Sequence, residues 1–176
     1  MIYERGNAAK QWILEDISSK VGQDSARILD LGCGDGHLWK AFIEMRPAAM
    51  VVGVDSDREA IKRGQEVFKD ARQVKFRVYD AQASVADDPF NFVTALSTIE
   101  HVVDRPAFLV TVWNALHKGG IAYLNYDVGH FRSRNIKERL MVPVSQLLAV
   151  IGIEGPYMKK VDDELFRAQA EKQGFV

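Results

Sequence analysis

Ala26-Arg27-Ile28-Leu29-Asp30-Leu31-Gly32-Cys33-Gly34-Asp35-Gly36-His37-Leu38 is the stretch from which the rest of the chain is read. A short apolar run (Ile28, Leu29, Leu31) breaks into glycines at alternate positions, Gly32, Gly34 and Gly36, and an amphipathic segment follows. The pattern predicts a buried strand, a tight turn and the start of a helix. Glycine suits such a turn because it adopts positive φ at no steric cost and lets a ligand lie against the backbone. The helix start behind the turn is expected to offer free N–H groups and the positive end of a dipole, both suited to an anion.

Two common ligand loops do not fit. A dinucleotide fingerprint needs a third glycine where His37 stands, and the nucleoside-triphosphate loop needs a Gly-Lys-Ser/Thr ending that is missing here. The Asp-x-Gly-x-Gly-x-Gly pattern from Asp30 to Gly36 instead closely resembles the first motif of class I S-adenosylmethionine-dependent methyltransferases. The resemblance implies a Rossmann-like, doubly wound α/β sheet, mainly parallel, with S-adenosyl-L-methionine as cofactor across the carboxyl ends of its strands. It places the methionine part on Gly32, Cys33, Gly34 and Gly36, and Asp30 near the cofactor's amino group.

Composition bounds the remaining classes. The chain has 176 residues, 47% hydrophobic and 27% charged, which suits a single domain spanning 1–176 with a sizeable core. A formal net charge of −1 supplies no dominant attraction to nucleic acid or to an acidic membrane. The single cysteine, Cys33, excludes an internal disulfide and argues against a cysteine-built metal site, so no metal is expected. No apolar run approaches the ~20 residues that span a bilayer, and Met1 to Lys10 lacks the apolar core of a secretory signal. These features lead to the expectation of a soluble, cytoplasmic protein.

Upstream of the turn, Trp12, Ile13, Ile17 and Val21 fall at helical spacing and predict a helix from Tyr3 to Val21 that packs on the sheet. Downstream, Leu38, Trp39, Phe42, Ile43 and Met45 mark the apolar face of a helix ending before Pro47. Met50 to Asp55 reads as a second buried strand, about twenty residues beyond the turn, as a βαβ unit requires. A carboxylate at its end can accept hydrogen bonds from both ribose hydroxyls, which assigns Asp55 to the ribose. Ser56 stands beside it and is expected to cap the next helix. Val74 to Tyr79 alternates as a third strand. The family resemblance then puts Asp80 on the adenine amino group and Ala81 within backbone contact of the ring.

Phe90 to Leu96 resembles the family's Phe-Asp-x-Val strand, with Asn91 in place of the aspartate, and either side chain can bond local backbone. Ser97-Thr98-Ile99-Glu100-His101-Val102 resembles the Glu-His segment of small-molecule methyltransferases. Ser97 is placed with the cofactor. His101 reads either as a wall of the acceptor pocket or as a hydrogen-bonded structural histidine. A helix from Arg105 to His117 is followed by Lys118-Gly119-Gly120 as a turn, and by a fifth strand from Ile121 to Tyr126. Asp127 and His130 lie in the next connection and, with His101, are the candidates for a base. The apolar pattern of 135–153 predicts a helical insertion of the kind that forms an acceptor lid in this family. Arg132, Arg134, Lys137 and Arg139 at its entrance read either as a solvated face or as an anion-reading patch.

A last helix from Asp162 to Lys172 leads to where a sixth strand would begin. The expected sheet order is therefore 3-2-1-4-5, with the family's final two strands, six and seven, missing or truncated. An exposed fifth strand would need cover from the inserted helix or from another subunit of a homodimer. The function implied is methyl transfer from S-adenosylmethionine to a small-molecule acceptor by direct in-line displacement. The alternative is a methyltransferase-like domain that binds the cofactor or a partner without catalysis. Nucleic-acid substrates are disfavoured by the charge balance and by the absence of an Asn/Asp-Pro-Pro-aromatic motif after strand four.

Overall fold

Residues 5–21, 25–79, 89–126 and 160–176 are described by a computed structural model of the chain. Its strands are β1 (Arg27–Leu31), β2 (Met50–Asp55), β3 (Val74–Val78), β4 (Phe90–Leu96) and β5 (Leu116–Asn125). They form one sheet in the order β3-β2-β1-β4-β5, with every neighbouring pair parallel. The expected order is thus observed. The direction of winding reverses between β1 and β4, and in such sheets the ligand crevice opens at the carboxyl ends beside that reversal.

Helices α1 (Arg5–Val21), α2 (Lys40–Met45), α3 (Arg58–Val67), α4 (Arg105–Ala115) and α5 (Asp163–Gln173) accompany the sheet. Successive residues of a strand point to opposite faces, so the central strands feed two cores. Ile28, Val51 and Phe92 join Ile13, Ile17 and Val21 of α1 and Phe42 of α2. Leu29, Val52 and Val93 join Phe108 and Val112 of α4. Burial on both faces is why these strands read as nearly continuous apolar runs. Among the described residues no helix is long and apolar enough to cross a membrane.

The structure corrects several local expectations. Trp12 and Met45 are 61% and 59% exposed. Trp12 lies one position off the buried Ile13-Ile17-Val21 stripe, and neighbouring helical positions do not share a face. On α2 the stripe that begins at Trp39 and Phe42 continues to Arg46, whose Nε donates to the Ser18 carbonyl at 3.2 Å. The cap of α3 is Asp57, not Ser56: its carboxylate accepts from the N–H groups of Glu59 (2.9 Å) and Ala60 (3.2 Å). Asn91 bonds the start of β1 instead of local backbone, its Oδ1 accepting from Arg27 N–H at 2.8 Å. The His117–Gly120 turn is absorbed into β5 as an irregularity, for Phe90 pairs with Leu116 but Phe92 pairs with Ile121.

α1 is tied down by Asp16. Its carboxylate accepts from Tyr123 Oη of β5 at 2.5 Å and from Lys20 Nζ at 2.6 Å. Lys20 and Val21 also border a cavity of about 340 Å³ with Ala26, Asn91 and Gly120, at the amino ends of the strands. The helix therefore runs against the strand direction, and its first turns rise toward the carboxyl ends.

Phe76 of β3 nests against Gly36, Gly53 and Gly64. A Cβ at Gly53 would come within 2.8 Å of Cys33 Sγ and 2.9 Å of the Phe76 ring. Overpacking of this kind costs about 1–3 kcal/mol. Gly53→Ala should lower the urea-unfolding free energy by that amount, and adding Phe76→Leu should recover part of it.

Candidate functional site

The chain leaves β1 at Leu31 and turns through Gly32–Gly36 above the end of β2. The amides of Gly32 and Cys33 both donate to the Val54 carbonyl, at 2.8 and 3.1 Å, and Gly36 N–H donates to the Cys33 carbonyl at 3.0 Å. Gly34 N–H donates to Asp55 Oδ2 at 2.7 Å, and His37 N–H to Asp35 Oδ1 at 3.2 Å. These donors are spent within the protein. The segment behind the turn is a three-residue 3-10 helix, His37–Trp39, before α2 begins. Of the helix-start amides, those of His37 and Trp39 are bonded internally, the first to Asp35 Oδ1 and the second to the Gly36 carbonyl at 2.9 Å.

The turn nevertheless leaves room for a ligand. Gly32 has φ 74° and its missing Cβ is replaced by the Thr98 side chain, whose Oγ1 donates to the Leu31 carbonyl at 3.1 Å. Gly34 has φ 56°, and a Cβ there would meet nothing within 4 Å. Space over Gly34 thus lies open directly against backbone.

Asp55 closes the site on the β2 side. One carboxylate oxygen holds Gly34 N–H and the other accepts from Asp57 N–H at 2.9 Å. Each oxygen keeps a further lone pair, and the side chain is only half-buried. Ser56 follows it and is exposed.

Asp30 is different in kind. It is 4% exposed, with Oδ2 accepting from Trp39 Nε1 at 2.7 Å and Oδ1 from Thr94 Oγ1 at 2.7 Å. Burial pushes its carboxyl up to about 6, against the opposing effects of the Trp39 and Thr94 hydrogen bonds and the charge of Lys10. Burial also pushes the Cys33 thiol far up, helped by the charges of Asp30 and Asp55, so the thiol stays neutral. Half-buried on the turn, Asp35 is held below the usual carboxylate range chiefly by its 2.7 Å bond to His37.

At the end of β4, Ser97 is the one non-glycine residue with positive φ among those described, at 60°. Its N–H donates to the Asn125 carbonyl at 3.0 Å, which holds the bend. Such backbone costs of order 1 kcal/mol and collects at functional sites. The next turn puts Glu100 inside, fully buried, and His101 outside.

Asp30, Gly32, Cys33, Gly34, Gly36, Asp55 and Ser97 are thus gathered at the carboxyl edge of β1, β2 and β4. Asp80, Ala81, Asp127, His130 and the 135–153 insertion lie outside the described residues. Trp39, Thr94, Thr98 and Phe76 support the site without having been singled out from the sequence. The threonines carried one signal, hydroxyls in otherwise apolar stretches.

The Asp30 environment has a pH consequence. The unfolded carboxyl ionises near 3.8 and the folded one near 6. Between those values the folded state holds more protons, so stability falls as pH rises from about 4 to about 6 and is level above. Asp30→Asn should remove that slope in urea midpoints measured from pH 4 to 7. The fold should survive, since an amide can accept from Trp39 and donate to Thr94, whose hydroxyl then turns to the Leu29 carbonyl 3.4 Å away.

Residues 23–164 match a family described as a methyltransferase domain. A ubiquinone biosynthesis O-methyltransferase of Leptothrix cholodnii is 33% identical over 144 residues, covering 78% of this chain and 55% of that protein. A trans-aconitate 2-methyltransferase of Azoarcus sp. is 30% identical over 129 residues, covering 70% and 48% respectively. The chain spans about half the length of the curated relatives it matches. A TehB-like SAM-dependent methyltransferase from Corynebacterium glutamicum shares the fold, with a TM-score of 0.61 at 18% identity over 96% of this chain and 81% of that one.

Proposed function

The chain belongs to the class I S-adenosylmethionine-dependent methyltransferase family, and from that premise we propose that it transfers a methyl group from S-adenosylmethionine to a small-molecule acceptor by in-line displacement. The observation that carries this reading is the Asp55 carboxylate, fixed by two backbone N–H groups beside the open space over Gly34. A carboxylate so oriented suits a vicinal diol, and the uncluttered backbone suits a slender thioether chain. The residues present therefore fit the cofactor.

Asp55 would hold the ribose hydroxyls, with Ser56 beside it. Gly32, Cys33, Gly34 and Gly36 would cradle the methionine half, and Asp80 and Ala81 would meet the adenine. Both oxygens of Asp30 are already engaged, so its part is to stabilise the cofactor's ammonium through its charge. When bound, the cofactor supplies an activated methyl group on a sulfonium. The protein's own contribution is alignment and exclusion of water, which needs no covalent catalysis. Ser97 would stand with the cofactor at the end of β4, and His101, exposed on the next turn, would wall the acceptor pocket. His101, Asp127 and His130 are the groups from which a base would be drawn, where the acceptor needs one. The small-molecule assignment is supported by the Glu-His segment and by the acceptor names of the relatives above. In cells the chain is read as cytoplasmic.

Calorimetric titration with S-adenosylhomocysteine tests the reading. Micromolar binding is expected, weakened roughly a hundredfold in Asp55→Ala, which loses hydrogen bonds to a charged group. A folded, monodisperse chain that binds nothing would contradict it. Transfer of labelled methyl groups across an acceptor panel then separates catalysis from binding alone.

A further inference from the structure

We propose that the cavity at the amino ends of β1, β4 and β5 is a second small-molecule site, one that takes a monocarboxylate with an apolar body. It lies apart from the cofactor edge and does not depend on the reading given to that edge. From Asn91, which lines the cavity, to Ser97 beyond the far end of the strand, β4 climbs about 20 Å.

An irregularity in the sheet opens the space. Phe90 pairs with Leu116 and Phe92 with Ile121, so Asn91 stands against the whole of His117–Gly120. The surplus residues have no position across from them on β4. Gly120 packs closely, for a Cβ on it would come within 2.9 Å of Leu116 Cδ2 and 3.1 Å of the Asn91 carbonyl oxygen. Gly119 does not: its φ is 84°, and a Cβ there would meet nothing within 4 Å. Bare backbone therefore borders the cavity. The volume of about 340 Å³ falls within the range of about 300–1,000 Å³ that small-ligand sites occupy.

The lining sorts by chemistry. Val21 and Phe92 are buried and Ile121 is half-buried, and together they give an apolar wall. Lys20, Ser25, Asn91 and His117 bring polar groups. Asn91 Oδ1 accepts from Arg27 N–H at 2.8 Å, so the side-chain amino group is what Asn91 has left to offer. Lys20 gives one N–H to Asp16 at 2.6 Å and keeps its others. The Ser25 hydroxyl and the His117 ring add donors. Among the described residues no Asp or Glu lines the cavity. Donors around one positive charge, beside apolar side chains, suit a singly charged acceptor on an apolar body, and a carboxylate can take several such bonds at once. The carboxyl end of α1 is here, and its dipole opposes an anion. Lys20 in the last turn offsets this, as does Arg46 Nε, which donates to the Ser18 carbonyl at 3.2 Å.

The test titrates β-naphthoate and β-naphthamide, alike in size and shape but not in charge, into the isotope-labelled full chain and follows backbone amide shifts by NMR. A saturable response to the naphthoate, roughly millimolar, is expected at Val21, Gly119, Gly120 and Ile121. It should be unchanged by saturating S-adenosylhomocysteine and about fivefold weaker for the amide. In Lys20→Met the two compounds should bind equally. The Lys20–Asp16 pair is exposed, so this variant should keep the fold, which circular dichroism checks. No saturable response at the cavity, a response centred on Gly34, Asp55 and Ser97, or one displaced by S-adenosylhomocysteine would overturn the site. Equal affinity for acid and amide in the wild type, or a preference for the acid that survives Lys20→Met, would overturn the carboxylate assignment.

Discussion

The hydrogen bond from Gly34 N–H to the Asp55 carboxylate is the contact on which the rest of the site depends. It joins the turn after β1 to the end of β2, two points brought together only by parallel pairing of the strands. Val54, which accepts from Gly32 and Cys33, acts in the same place with its carbonyl. The turn is thereby preformed, and Asp55 is aimed before any ligand arrives. Binding then need not order either element, and preorganisation of that kind lowers the cost of association.

Beneath this contact the packing leaves little freedom. Phe76 fills the space that side chains at Gly36, Gly53 and Gly64 would need, and Thr98 fills the space at Gly32. These glycines serve close approach as much as backbone geometry. Asp30 sits under the same turn, its carboxylate held by the Trp39 indole and the Thr94 hydroxyl. One buried acid thus links β1, β4 and the segment leading into α2. The Asp16–Tyr123 bond performs a similar task at the side of the sheet, setting α1 against β5.

Strand order followed from the family resemblance, and the turn after β1 and the acidic end of β2 were legible because their signals are local. An apolar run broken by alternating glycines, and an acidic strand end one βαβ unit later, locate Gly32 to Gly36 and Asp55 without knowledge of any long-range contact. What was not legible depends on partners far along the chain. Thr94 reaches Asp30 across 64 residues, and Asn91 reaches Arg27 across the same separation. Ser97 adopts a positive φ with no glycine or asparagine to announce it. Trp12 and Met45 looked buried because apolar character alone does not place a residue on the inner stripe.

The most direct measurement is a crystal structure of the chain with S-adenosylhomocysteine. The account predicts both ribose hydroxyls on the Asp55 carboxylate and the thioether chain lying over Gly34, with Gly34 N–H still donating to Asp55. A nucleoside bound away from Asp55, or a turn that opens to give its amides to the ligand, would contradict it.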